Sequence, residues 1–330
     1  MKTVGDIDIH TSPLATISLA PLADFTDAPF RRMCVEGGAD ATYTEMVSAA
    51  ALYHGHAATR FLLETLPGEP APVCQLFGSK EEELAFAVRE IERLHPGSFS
   101  ACNLNAGCPM QKVTRSGSGA ALASDPAKVH RLLVAMKENT SLPVTLKTRL
   151  GPSPACDTAD ELLSAAESAG AAGIIFHARY TSQLHGGEVN LKRLASLVRR
   201  SSIPVTGNGS VRDAASFAAM AATGVAGVMI GRAALGDPYI FARLKDATFS
   251  PAASNQELAR RHVAYIMEFM EGVRRKNPPW RLMPAESYAV LKLRTHIFRY
   301  FSGQPGAAAL RARFNSIKSL SDFWSLCDEM

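Results

Sequence analysis

A chain of 330 residues, 47% hydrophobic and 20% charged, is ordinary for a globular protein and too long for one small core. It shows no apolar run of membrane-spanning length and no basic, apolar, small-residue leader at its start. Its six cysteines, scattered at 34, 74, 102, 108, 156 and 327, suggest neither a disulfide framework nor a CxxC zinc pair, so a reducing cytoplasm is the expected compartment. The net charge of +4 is uneven: from Ala252 onward 12 Lys/Arg meet 7 Asp/Glu, whereas the first 251 residues hold 23 against 24. Such a basic tail suits a polyanionic partner, and suits a solvated arginine-rich helical surface equally well.

Taken in chain order, apolar β-prone runs recur at 17–22, 41–46, 73–77, 101–105, 144–148, 173–178, 205–208 and 227–230. Most are separated by stretches of helical periodicity with start and stop signals. Ser79-Lys80-Glu81-Glu82 reads as a capping box, Asp125-Pro126 as an N-cap before a first-turn proline, and Ser210–Asp213 as a third helix start. Gly37-Gly38 and Gly170 stand where helices should stop. Eight strands alternating with helices predict an α/β fold, a (β/α)8 TIM barrel over residues 1–246. After a polar, proline-containing linker at 247–254 the pattern turns wholly helical. Runs at 256–276, 285–301, 307–316 and 320–329, broken at Pro278-Pro279 and Gly303-Gln304-Pro305-Gly306, predict a small helical bundle over 252–330. On this reading a chain ending near Lys245 should still fold.

In such barrels the chemistry sits at the C-terminal ends of the strands. Those ends carry Pro21-Leu22-Ala23-Asp24, Glu45, Gln75, Asn105 with Cys108, Lys147 with Arg149, His177 with Arg179, Asn208-Gly209 and Gly231-Arg232. The last two pairs follow strands seven and eight, where barrel loops often cradle a phosphate; Gly209 and Gly231 allow close backbone approach and Arg232 supplies charge. Lys147 and Arg149 face one way into the barrel mouth, where they must meet anions. Gln75 and Asn105 offer amides suited to a heteroaromatic ring. A phosphate cradle, a cation and ring-reading amides together suggest flavin mononucleotide (FMN). Cys108, between Gly107 and Pro109, is displayed on a turn if the strand ends at Leu104, although most free cysteines are simply buried. His177 is as readily a satisfied core histidine as a ligand. His54-Gly55-His56 imitates a metal pair, but no carboxylate completes it; no metal is expected.

With those residues in place the chain resembles the tRNA-dihydrouridine synthases, and among them the bacterial B-type enzymes. The likeness runs through Ala20–Asp27, Gln75-Leu76-Phe77-Gly78, Asn103-Leu104-Asn105-Ala106-Gly107-Cys108-Pro109, Leu146-Lys147-Thr148-Arg149, Asn208-Gly209 and Ile230-Gly231-Arg232. It continues into the tail from Lys292 to Arg311. The resemblance implies FMN contacts at Pro21, Leu22, Ala23, Gln75, Lys147, Asn208, Gly209, Gly231 and Arg232, with His177 facing flavin or substrate. It implies NADPH or NADH as reductant and Cys108 as the general acid that protonates uracil C5. A thiol's ordinary pKa of about 8.5 leaves it protonated for that role. Asn105, Arg149 and Arg179 are expected on the substrate side, and Lys292, Arg294, Arg299, Arg311 and Arg313 against tRNA phosphates, while the helical spacing of Tyr300 favours helix core over base stacking. A monomer without membrane attachment is expected. Three features depart from the family pattern: Leu22 in place of methionine, Ser210 in place of aspartate, and residues 180–187 in place of a His-Gly-Arg-Thr segment. The rival readings are a Schiff-base lyase built on Lys147, a flavin oxidoreductase acting on a free small molecule, and a non-catalytic RNA-binding protein.

Overall fold

The computed structural model describes residues 16–303 and 306–329; the start of the 1–246 unit and Gln304-Pro305 of the predicted break lie outside the described residues. The strands are β1 (Thr16–Leu19), β2 (Val47–Ser48), β3 (Val73–Phe77), β4 (Ala101–Ala106), β5 (Val144–Arg149), β6 (Gly173–His177), β7 (Val205–Asn208) and β8 (Gly227–Ile230). They form one parallel sheet in the order β1-β8-β7-β6-β5-β4-β3-β2. Parallel bridges from Ala41 to Ser18 and from Tyr43 to Val73 join the two ends of the sheet, giving the (β/α)8 barrel. Every residue of β4, β6 and β8 is buried, because helices cover the outer face and packed side chains fill the inner one.

The predicted second strand is the weakest match. Residues 41–46 make only isolated bridges, and the regular strand is the two residues that follow. Two helix starts also move. The helix α3 (Glu81–Leu94) begins without a side-chain cap, and Ser79 Oγ instead donates to the Ser116 carbonyl at 2.7 Å. Glu81, Glu82 and Glu83 in its first turn complement the helix dipole. The helix α8 (Ala214–Ala221) is capped by Asp213 reciprocally with Ser216, three residues beyond Ser210. Asp125 does cap its helix, accepting from Lys128 N at 3.0 Å.

The tail consists of α10 (Asn255–Arg275), α11 (Ala285–Thr295), a 3-10 turn (Ile297–Phe301), α12 (Ala307–Ser316) and α13 (Leu320–Asp328). It does not hang free of the barrel. The helix α10 packs along α1 (Ala28–Glu36), and Phe61 meets Phe269 and Tyr288 edge-on at 5.4 and 5.7 Å between ring centres. One apolar core therefore runs from the barrel's outer helices through Phe30, Phe269, Leu293 and Tyr300 into the tail. Tyr300 is a core residue, 2% exposed, with its hydroxyl 2.8 Å from His262 Nδ1.

Candidate active site

Beneath the barrel mouth lies a chain of side-chain amides. Gln75 Nε2 donates to Asn103 Oδ1 at 2.7 Å, Asn103 Nδ2 to Thr145 Oγ1 at 2.8 Å, and Asn105 Nδ2 to Gln75 Oε1 at 2.8 Å. Parallel register produces this: Gln75 sits opposite Asn103, and Asn105 opposite Lys147, so inward-facing polar residues meet strand by strand. The network's last free acceptor, Asn105 Oδ1, receives the backbone N–H of Gly107 at 3.1 Å and of Cys108 at 3.0 Å. That double bond fixes the turn carrying Cys108. Gly119 (φ +59°) packs against the same turn; a Cβ there would lie 2.7 Å from the Cys108 carbonyl oxygen.

Above this floor opens a cavity of about 550 Å³. Pro21, Leu22 and Ala23 line one side, Cys108 and Met110 another, and Asn208, Gly209, Gly231 and Arg232 a third, with Lys147 and His177 deeper. Among the described residues its charged lining is Lys147, Arg149, Arg212 and Arg232, without a carboxylate. Among the described residues Lys147 has only a neutral partner, donating to Asn208 Oδ1 at 3.2 Å. Burial, reinforced by Arg149, pulls its pKa down to about 8. Burial and the same cations push His177 far below the ordinary histidine value, so its ring is neutral. Arg232, exposed in the lining, opens the 3-10 turn Arg232–Ala234, whose first N–H groups have no partner within the turn. Gly209 (φ +124°) is needed where it stands, since a Cβ would meet His177 Cδ2 at 2.8 Å. A buried ammonium lacking a counter-charge, a cation beside free backbone donors, and adequate volume fit a flat, electron-rich ring ending in a phosphate.

Some sequence-derived assignments change. Gln75 does not line the cavity; it is fully buried, and both ends of its amide are used within the floor. Arg149 and Arg179 are 2% and 3% exposed and are occupied by backbone carbonyls, although Arg149 still lines the cavity. Arg149 donates to the carbonyls of Gly107 (2.9 Å), Tyr180 (3.1 Å) and Leu184 (2.7 Å). Arg179 donates to Gly186 (2.9 Å), Gly187 (2.7 Å) and Ser210 Oγ (2.7 Å). Together they staple residues 180–187 to the Cys108 turn and to the loop after β7. Lys292 is likewise buried, donating to the Asp24 carbonyl at 2.6 Å and pairing with Asp27 at 2.9 Å. Arg294 is held on the Ile317 carbonyl, and Arg299 lies over Phe25 at 5.3 Å. Only Arg311 and Arg313 of that set are exposed; Arg311 covers the Phe298 ring and Arg313 pairs with Glu329.

Sequence reasoning missed Met46, His185, Val211, Arg212 and Met229 in the cavity lining. Arg212 could have been found, since it lies four residues past the end of a strand that feeds the phosphate-type loop. His185 could not, because its place depends on how two arginines fold a loop back over the mouth.

Comparison with known proteins adds a family. The model described as dihydrouridine synthase matches residues 18–330. The probable tRNA-dihydrouridine synthase of Mycobacterium tuberculosis is 32% identical over 340 residues, covering 99% of this chain and 84% of that protein. The probable tRNA-dihydrouridine synthase of Treponema pallidum is 30% identical over 323 residues, with 93% and 90% covered. tRNA-dihydrouridine synthase B of Escherichia coli is 30% identical over 312 residues, with 92% of each chain covered.

Proposed function

Since the chain belongs to the dihydrouridine synthase family, we propose that it reduces the C5–C6 double bond of uridines in tRNA, using FMN and NADPH or NADH. The observation that carries the reading is the cavity itself, where a fixed cysteine turn faces a cationic cradle lacking any carboxylate. Arg232, Gly231, Gly209 and the N–H groups at the start of the 3-10 turn would hold the phosphate. Pro21, Leu22, Ala23, Lys147 and Asn208 would bound the ring. Bound there, FMN would supply the hydride that saturates the double bond at uracil C6.

The chain's own residues then have distinct tasks. Cys108 delivers a proton to uracil C5, and the Asn105 amide keeps its turn from swinging away. Lys147 offers positive charge where electron density accumulates; Asn208, which donates to the Met229 carbonyl at 2.8 Å, holds the ammonium in place. Neutral His177 lines the pocket as a hydrogen-bonding group rather than as a second cation. The exposed arginines of the tail would contact tRNA phosphates, a cytoplasmic task suited to a monomer of a barrel domain and a helical domain.

Cys108→Ala tests the assignment. It should bind FMN and accept electrons from NADPH as wild type does, yet form dihydrouridine in tRNA at least a hundredfold more slowly, the usual order for a lost general acid. Wild-type product formation by this variant, read by nucleoside mass spectrometry, refutes the role of the thiol.

A further inference from the structure

Two large apolar side chains stand out in solvent beside the cavity. Met110, 64% exposed, lines its rim directly after Cys108-Pro109. Leu184, 54% exposed, immediately precedes the lining residue His185. Neither exposure is the passive result of a loose loop. Leu184 sits at φ +50°, ψ −104°, a conformation costly for a residue with a Cβ. Its carbonyl is held at 2.7 Å by Arg149 Nη1, while Nε of the same guanidinium holds the Gly107 carbonyl at 2.9 Å. A single buried arginine therefore fixes the spacing between the turn that ends in Met110 and the loop that presents Leu184. Arg179 clamps the far side of that loop through the Gly186 and Gly187 carbonyls. Strain of this kind, maintained by two buried cations, is spent on keeping a leucine in water.

We propose that Met110 and Leu184 form an apolar rim that packs against the nucleobases flanking the target uridine, replacing the stacking those bases lose when the uridine enters the cavity. This inference rests on the functional reading above. The occupant follows from chemistry at the mouth. A lining without a carboxylate among the described residues, with exposed Arg212 and Arg232, selects a polyanion; on the functional reading above only the target base enters the cavity, which leaves its neighbours at the rim. Withdrawing one base from a stack costs a few kcal/mol, and aliphatic wedges placed at the broken step offset such a cost.

The experiment compares the wild-type holoenzyme with Met110→Ser/Leu184→Ser on an unmodified tRNA transcript and on the same transcript carrying abasic residues on both sides of the modified uridine. Partial reburial of two such side chains predicts about a tenfold loss in kcat/KM for dihydrouridine formation on the intact transcript. Flavin spectrum and urea midpoint should be retained, and the deficit should nearly vanish on the abasic-flanked transcript. Met110→Leu/Leu184→Met should restore the rate. Leu184→Gly relieves the positive φ, so it keeps the test independent of folding, and it should show part of the loss. Equal rates for wild type and the serine variant on intact tRNA overturn the proposal, as does an equal deficit on both transcripts. Should wild type form no dihydrouridine at all, the functional reading fails; filter binding of tRNA then reads the rim alone, and equal affinity in the two proteins overturns it.

Discussion

Replacing Lys292 with methionine should unsettle the junction between barrel and tail before it touches RNA binding. The ammonium is 4% exposed, 2.9 Å from Asp27 Oδ2 and 2.6 Å from the Asp24 carbonyl. Asp27 is itself buried, accepting from the Tyr288 hydroxyl at 2.9 Å while its other oxygen caps α1 at Phe30 N, 3.2 Å away. Burial pushes the Asp27 carboxyl up, and Lys292 with His262 and His296 more than reverses this, holding it at about 2. A depressed carboxyl contributes stability that is present above its unfolded value, near 4, and is lost as pH falls toward 2. Methionine keeps the bulk of Lys292 but strands the carboxylate, at a cost of about 3–5 kcal/mol at pH 7. Asp27→Asn/Lys292→Met leaves no stranded charge and should recover most of that loss. Both tryptophans, Trp280 and Trp324, lie in the tail. Urea unfolding followed by tryptophan fluorescence and by far-UV dichroism therefore reads the tail and the whole chain, and the two transitions should coincide. A Lys292→Met protein within 1 kcal/mol of wild type that nevertheless loses tRNA affinity would refute the buried-clamp argument and return Lys292 to the RNA surface.

Glu45, which accepts from Asp24 N at 2.5 Å, is pushed up to about 7 by burial, with Lys292 opposing and Asp27 assisting. A raised carboxyl loses stability as pH climbs from its unfolded value through 7, so Glu45→Gln should gain on wild type by up to about 3 kcal/mol at pH 8 and by little at pH 4.5; a constant difference across pH, measured by urea midpoints, contradicts this. Gly119→Ala should keep FMN yet lose most tRNA reduction, because its Cβ displaces the Cys108 carbonyl; unaltered product formation with bound flavin refutes the packing argument. Arg311→Glu should lower tRNA affinity and flatten the dependence of log Kobs on log salt by about one unit, with the flavin spectrum unchanged. Arg294→Glu should instead destabilise the tail by freeing the Ile317 carbonyl. Truncation near Lys245 should yield an insoluble barrel, since it uncovers Phe30 and Phe61 and removes the counter-ion of Asp27; a folded, yellow truncated protein contradicts the shared core.

Hydrophobic periodicity, glycine and proline punctuation, and strand-end chemistry are local properties, and they carried the architecture. The bounds of β3, β7 and β8 coincide with the runs read from sequence, as do those of α12. The loops after β7 and β8, Lys147 and Cys108 were legible for the same reason: in a parallel barrel, position along a strand assigns a residue to the mouth. Which polar residue faces ligand and which faces another residue is a matter of distance in space. Gln75 and Asn105 look alike in sequence, yet Gln75 closes a buried amide chain while Asn105 tethers the cysteine turn. Charge has the same ambiguity. Lys292 and Arg311 are both basic residues on tail helices, but packing of α11 against the barrel turns one into the partner of a buried aspartate and leaves the other in water. The sequence by itself determined every strand but the second, the ends that bear chemistry and the basic character of the tail. The tertiary structure alone decided which cations are free, because a charge's role depends on the counter-charges and carbonyls that folding brings within hydrogen-bonding distance.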